Sequence, residues 1–263
     1  MENGTVANLG LICMKGCEEF GNKVEYYLQK WHGISKDCMI KADCPRFATG
    51  EAKGLILESV RGRDIFIIVD PFNYSITYKM YGQEVPMSPD DHFQDLKRVI
   101  AAIGGKAKRI TVIMPMLYEG RQHKRTFRES LDCATALQEL VHMGVSNIVT
   151  YDAHDARVQN AIPLSGFDNM SPTYQMIKAL VRNVEGITFD PEQLLIVSPD
   201  EGGISRCLAS VQIRFLRSAA SAPVTKCTAA LGTDSRSWPR STCHTARTAR
   251  VRSEECESSC AAR

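Results

Sequence analysis

Basic side chains crowd one segment of the chain directly after a short apolar run. The run RITVIMP (109–115) leads into YEGRQHKRTFRES, whose basic residues are Arg121, His123, Lys124, Arg125 and Arg128. Guanidinium groups donate paired hydrogen bonds that match phosphate oxygens, so this cluster suits a polyphosphate ligand. A solvated basic loop without a ligand is the alternative interpretation.

A second segment places carboxylates beside an imidazole. In YDAHDARVQ, the residues Asp152, His154 and Asp155 lie within four positions, and they again follow an apolar run, NIVT. Such a set can hold Mg²⁺ or orient a metal that is bound to phosphate. A helix cap with a surface histidine explains the same residues without a ligand.

Two turns carry further candidates for ligand contact. In VSPDEGG, Asp200 is followed by Gly202 and Gly203, which let a backbone approach a ligand closely, although an ordinary turn has the same residues. In FATGE, Phe47 and Glu51 flank a Thr-Gly turn. Phe47 is interpreted either as a ring that stacks on a base or as a core residue.

Alternating strands and helices must position these segments. Short β-branched runs predict strands, and amphipathic periods with Ser-Pro starts or glycine ends predict helices between them. The predicted strands are 64–70, 109–115, 147–153 and 193–200, and the predicted helices are 88–105, 129–144 and 171–184. Less regular segments predict a helix at 17–31 and strands at 38–47 and 54–59. This order predicts an α/β fold with a parallel sheet flanked by helices, whose ligands bind at the carboxyl ends of the strands.

Composition and charge limit the function classes. The net charge of +2 divides into about +5 for residues 208–263 and about −3 for residues 1–207, so the body of the chain does not suggest nucleic acid. No apolar run approaches the roughly 18 residues of a membrane span, and the amino terminus has no signal-peptide pattern. The ten scattered cysteines lack paired zinc spacing, and they indicate a cytoplasmic protein with reduced thiols. No P-loop motif occurs.

Taken together, the loops resemble those of the ribose-phosphate pyrophosphokinase (phosphoribosyl-pyrophosphate synthetase) family from about residue 15 to Cys207, and the long segment 69–92 suggests a divergent bacterial branch. ESVRGRDIFII (58–68) is similar to the family's strand that leads into the sheet. The remaining likenesses are FATGE (47–51) to F-S-D-G-E, GRQ (120–122) to A-R-Q-D, DAHDARVQ (152–159) to D-L-H-A-x-Q-I-Q, and SPDEGG (198–203) to S-P-D-x-G-G. Two positions depart from the pattern, because Thr49 and His123 stand where the family has aspartate.

The resemblance implies a type I phosphoribosyltransferase-like fold and the transfer of diphosphate from Mg-ATP to ribose 5-phosphate, giving phosphoribosyl pyrophosphate and AMP for nucleotide biosynthesis. It implies that ATP is held by Phe47, Glu51, Arg121, Gln122 and His154, with Phe47 and Glu51 acting from a neighbouring subunit of a homo-oligomer. It implies that Mg²⁺ is held by Asp152, His154 and Asp200.

The resemblance also implies a division into a first domain (1–165) and the start of a second domain of the same type (166–207). The composition after Cys207, which is poor in large apolar residues, predicts an aberrant, disordered tail (208–263). The family's Lys-Arg catalytic loop and ribose 5-phosphate loop are not visible after Cys207, and the change of composition suggests a frameshift. We therefore expect the second domain to be incomplete and the chain to be inactive alone. A non-catalytic regulatory homologue in a synthetase oligomer and a plain phosphoribosyltransferase are the alternatives.

Overall fold

A computed structural model describes residues 8–32 and 38–187, together with residues 196, 198, 203, 206 and 207. The chain divides into two compact units, Met1–Ser171 and Pro172–Arg263. The elements in chain order are β1 (Leu9–Cys13), α1 (Glu18–His32), β2 (Ala42–Asp43), β3 (Leu55–Ile56), β4 (Asp64–Ile68), β5 (Thr77–Met80), β6 (Gln83–Pro86), α2 (Pro89–Ile103), β7 (Arg109–Ile113), α3 (Asp132–His142), β8 (Asn147–Tyr151), a 3₁₀ helix (Ala156–Ala161), β9 (Gly166–Met170) and α4 (Thr173–Asn183).

The first unit is built on a five-stranded sheet in the order β1-β4-β7-β8-β9, in which every neighbouring pair is parallel. The α/β fold class predicted from the sequence is therefore confirmed, and β4, β7 and β8 lie within the predicted strands. Of the predicted strand 193–200 the structure describes only residues 196 and 198, and of the domain predicted at 166–207 it describes residues 166–187 together with residues 196, 198, 203, 206 and 207. The tail 208–263 lies wholly outside the described residues. The domain boundaries stay a prediction, and β9, which follows residue 165, pairs with β8.

The core lies between one face of the sheet and the helices α2 and α3. Isoleucine and valine side chains of the central strands, such as Ile65, Ile67 and Val112, are fully buried there. Helix α2 packs against them with one apolar stripe, which consists of Phe93, Leu96, Val99, Ile100 and Ile103. Ser88 caps this helix through a reciprocal bond pair with Asp91, as its Ser-Pro start predicts. A second, smaller cluster covers the opposite face beside α1.

The two outer strands, β1 and β9, are not among the predicted strands. In β1 the apolar run is interrupted by Gly10, where a Cβ atom would lie 2.5 Å from the Ile40 side chain and 2.7 Å from that of Ile65. Close packing against these two side chains therefore favours glycine at position 10, and the glycine interrupts the apolar run by which a strand is predicted. The strand β9 has the sequence GFDNM and is mostly exposed, so it has no apolar period to detect.

Residues 77–86 form an antiparallel hairpin, β5 with β6, in the segment between β4 and α2. The segments 38–47 and 54–59 pair over only two residues each, in β2 and β3. In the second unit, α4 forms as predicted, and several members of its apolar stripe stay exposed, among them Tyr174, Val181 and Val184. No helix in the described part of the chain is long and apolar enough to cross a membrane.

A buried ion triad joins α2 to the segment before Phe47. The Asp95 carboxylate accepts from Arg46 Nη2 at 2.8 Å and from Arg98 Nη1 at 2.6 Å, and its side chain is 7% exposed. Burial raises the pKa of the Asp95 carboxyl, although both arginines act against this. The carboxylate is therefore tolerated in this place only because two guanidinium groups face it.

We expect Asp95→Asn to lower the free energy of unfolding by about 3 kcal/mol, because it leaves Arg46 buried without a counter-charge. Asp64→Asn is the matched control: Asp64 pairs with the half-exposed Arg109, and we expect a loss below about 1 kcal/mol. Urea denaturation of both variants measures the difference. Equal losses would contradict the role assigned to the triad.

Candidate functional site

Two loops meet at the carboxyl edge of the sheet, one after β7 and one after β8. The register pairs Ile113 with Val149, so both strands end at the same edge. Backbone bonds join the loop starts, because Met114 N donates to Val149 O at 2.8 Å and Tyr151 N donates to Pro115 O at 3.1 Å. Residues that are some thirty positions apart in the chain therefore come together.

The centre of the meeting point is a pair of histidines. The ring centroids of His123 and His154 are 5.1 Å apart, with the planes inclined at 53°. His123 Nε2 lies 3.5 Å from Asp155 Oδ2, and its Nδ1 lies 3.1 Å from Arg121 O. His123 is thus held from both loops, whereas the His154 side chain is exposed.

The Asp155 carboxylate is engaged by contacts within the two loops. Its carboxylate accepts from the backbone N of Arg157 at 2.9 Å, which caps the 3₁₀ helix, and from the Arg157 guanidinium at 2.5–3.1 Å. The side-chain and backbone hydrogen bonds from Arg157 hold the pKa of the Asp155 carboxyl well below its usual range. Asp155 is therefore ionised at neutral pH and serves as a structural anchor for His123.

The basic loop is held mainly by its own backbone and by Gln122. Gln122 Nε2 donates to Ser130 O at 2.9 Å, and Cys133 N donates to Gln122 O at 3.3 Å. The amide of Gln122 therefore closes the loop in this conformation. The side chains of Arg121, Lys124, Arg125 and Arg128 are exposed around it, as a phosphate-binding loop requires.

The start of this loop is acidic. Glu119 has a positive φ of 55°, and burial, followed by the neighbouring carboxylates of Asp132 and Asp90, raises its pKa. Tyr118 Oη donates to Asp90 Oδ1 at 2.6 Å, and its ring stacks on Phe93 at 4.3 Å. These contacts anchor the loop to α2 immediately before the basic residues begin.

Asp152 and His154 are the candidate metal ligands that the structure describes. Both side chains are exposed at the carboxyl edge, and Asp152 adopts a positive φ of 46° directly after β8. The described residues contain no group of three or more His, Cys, Asp or Glu side chains that could hold a metal ion. Two donors suit a magnesium ion that is held mostly by substrate phosphates, and they do not suit a tightly bound resident ion.

Phe47 and Glu51 lie on a separate turn, and Asp200 lies outside the described residues. The turn is closed by bonds from Phe47 N to Glu51 O at 2.7 Å and from Gly50 N to Phe47 O at 2.9 Å. Phe47 is 55% exposed, so it is not a core residue, and Thr49 Oγ1 donates to Glu51 Oε2 at 3.0 Å. The turn rests against the hairpin β5–β6, because Tyr81 N donates to Ala48 O at 2.9 Å.

The sequence interpretation placed His123 in the basic cluster and Asp155 in the possible metal set, but it did not link these two residues and it gave Arg157 no role. The sequence did contain a sign of this contact, because two positions differ from the family motifs in a complementary way. The acid that follows Gln in A-R-Q-D is His123, and an acid, Asp155, stands where D-L-H-A has alanine. Only the 3.5 Å contact in the folded structure links these two departures to each other.

Comparisons with known proteins agree on one family. Residues 9–144 match the model of the N-terminal domain of ribose phosphate pyrophosphokinase. The chain is 31% identical to ribose-phosphate pyrophosphokinase 1 of Schizosaccharomyces pombe over 163 residues, which is 61% of this chain and 35% of that protein. It is 29% identical to the ribose-phosphate pyrophosphokinase of Maricaulis maris over 170 residues, which is 64% of this chain and 48% of that protein. The chain thus spans between a third and a half of the length of these relatives.

A solved structure has the same fold. The crystal structure of phosphoribosylpyrophosphate synthetase from Mycobacterium smegmatis is similar with a TM-score of 0.64 and 22% sequence identity, covering 86% of this chain and 65% of that one. At this identity the likeness concerns the fold.

We expect a favourable coupling between positions 123 and 155. His123→Asp alone places a second carboxylate beside Asp155, whereas His123→Asp with Asp155→Ala restores the arrangement of charges in the quoted motifs. The double variant should be less destabilised than the sum of the two single variants by about 1 kcal/mol. Urea unfolding of all four proteins measures this, and the lost helix cap cancels because it occurs in both Asp155→Ala variants. Strictly additive losses would show that the two loops are not coupled here.

Proposed function

Because the chain belongs to the ribose-phosphate pyrophosphokinase family through its N-terminal domain, we propose that it binds Mg-ATP at the meeting point of the β7 and β8 loops. The family reaction that this binding would serve is transfer of diphosphate from ATP to ribose 5-phosphate, which gives phosphoribosyl pyrophosphate and AMP. The observation that carries the proposal is the convergence of the exposed basic loop with His154, whose ring lies 5.1 Å from that of His123.

Arg121 is the proposed phosphate-binding residue. Its guanidinium offers paired donors to phosphate oxygens, and its backbone is fixed because Arg121 O contacts His123 Nδ1 at 3.1 Å. Gln122 is assigned a supporting role as the closing bond of the loop, in addition to ATP binding. Such a transfer depends mainly on positioning and on neutralisation of charge, so a preorganised loop is the main contribution of these residues.

His154 and Asp152 are proposed to face the magnesium that accompanies ATP, with Asp200 as a third ligand. The bound ion would neutralise phosphate charge and align the phosphate chain. Both described residues stand at the carboxyl edge beside the basic loop, which supports this assignment. Asp155 is left out of the metal set because its oxygens are occupied by Arg157 and lie near His123.

Phe47 and Glu51 are proposed to contact the adenine and ribose of an ATP that is held by a neighbouring subunit, so that a homo-oligomer is part of the proposal. The exposure of the Phe47 ring, 55%, supports it. We also propose a cytoplasmic location, since the described cysteines are all free thiols. The family's Lys-Arg and ribose 5-phosphate loops are not visible in the 263 residues, and we propose that the chain alone makes no phosphoribosyl pyrophosphate.

We expect Arg121→Ala to weaken Mg-ATP binding by about 1.5–3 kcal/mol, because it removes a charged donor to phosphate. Isothermal titration calorimetry measures the change. Arg128→Ala, an equally exposed arginine of the same loop, is the control and should change the affinity much less. The assignment of Arg121 fails if both variants bind alike.

We expect His154→Ala to reduce the dependence of ATP binding on Mg²⁺, because one side of the metal site is lost. The ratio of the Kd values for ATP without and with Mg²⁺ is the measurement. His142→Ala is the matched control, since His142 is exposed on α3. His92 is unsuitable because it is buried and its Nε2 lies 2.9 Å from Asn73 O. If His154→Ala and His142→Ala give the same ratio, residues 152–155 form only a turn.

A further inference from the structure

The two-residue turn of the hairpin β5–β6 contains a tyrosine, Tyr81, at a position with a positive φ. Tyr81 and Gly82 are its two central residues, with φ values of 48° and 82°. Two-residue hairpin turns with positive φ at both positions strongly favour Asn, Asp or Gly at the first of them. A bulky aromatic residue is uncommon with positive φ, so Tyr81 is held in a conformation that costs free energy.

Packing within the chain does not offset this cost. The Tyr81 side chain is 75% exposed. Among the described residues its ring contacts no other ring and its hydroxyl forms no hydrogen bond. Residues held in strained conformations are concentrated at ligand-binding sites, where the strain places a side chain for use.

The hairpin tip is fixed to the turn that carries Phe47. Tyr81 N donates to Ala48 O at 2.9 Å, and a Cβ atom on Gly50 would lie 3.1 Å from Met80 Sδ, so the turn packs directly on β5. The guanidinium of Arg46 lies 4.6 Å from the centre of the Tyr78 ring. These contacts hold two exposed aromatic side chains, Phe47 and Tyr81, on neighbouring pieces of backbone.

We propose that Tyr81 is a second contact residue for the base of the nucleotide, acting beside Phe47. This inference rests on the proposed function, which assigns Phe47 to the base of ATP. A purine presents an apolar π face, and an aromatic side chain gains free energy by stacking on it without the need for a particular hydrogen-bond pattern. The hairpin is thus an added part of the nucleotide site, and it places Tyr81 through the backbone bond to Ala48.

The test is Tyr81→Asn, which should stabilise the fold and weaken the binding of Mg-ATP. Asparagine followed by Gly82 suits the turn, so the Tm should rise by a few degrees. The Kd for Mg-ATP should rise about tenfold, because a stacking ring is lost. The Kd for Mg-tripolyphosphate, which has no base, should stay unchanged.

Two further variants complete the design. Tyr81→Phe keeps the ring and should bind Mg-ATP like the unmodified chain. Tyr74→Asn removes another exposed tyrosine, 60% exposed and outside the hairpin strands, and should leave the Kd for Mg-ATP unchanged. Calorimetry for both ligands and thermal unfolding of every variant are the measurements.

An unchanged Kd for Mg-ATP in Tyr81→Asn overturns the inference, and so does an equal loss for ATP and tripolyphosphate. Failure of the proposed function has a different signature, since the unmodified chain would then bind neither ligand. In that case Tyr81 has no base to contact and the inference falls with the function.

Discussion

The parallel pairing of β4, β7 and β8 is the constraint on which the rest of the structure depends. The register aligns Ile68 with Ile113 and Ile113 with Val149, so these strands deliver the chain to one edge of the sheet. Buried isoleucine and valine side chains prevent the strands from slipping, because a shift by one residue would turn the apolar side chains away from α2 and α3. The loops that carry Arg121 and His154 are neighbours because of this register.

Hydrogen bonds inside the two loops fix the loop conformations at this edge of the sheet. Gln122 closes the basic loop through Ser130 O, and Arg157 holds Asp155 in place. Asp155 then faces His123 across the gap between the loops. The acidic group that the family motif has directly after Gln is absent here, and a carboxylate reaches the same region from the other loop.

The turn that carries Phe47 depends on a second, separate set of contacts. The Arg46 guanidinium connects Asp95 on α2 with the Tyr78 ring on the hairpin, and Tyr81 N holds Ala48 O. The long segment between β4 and α2 therefore supports the turn that carries Phe47, and it does not extend into solvent as a free loop. Burial raises the pKa of the Asp95 carboxyl although both arginines oppose this, so its ionised form is held at a cost in free energy while it connects the turn to α2.

The sequence by itself determined the α/β class, the central strands, the three amphipathic helices and the two loops at the strand ends, because apolar periods and helix caps are local signals. It did not reveal β1, where close packing of Ile40 and Ile65 requires Gly10, or β9, whose exposed residues have no period. The link between His123 and Asp155 and the contact between Tyr81 and Ala48 were decided only by the tertiary structure. Each joins residues about thirty positions apart, and no local pattern records which segments the strand register and the hairpin bring within a few ångströms of each other.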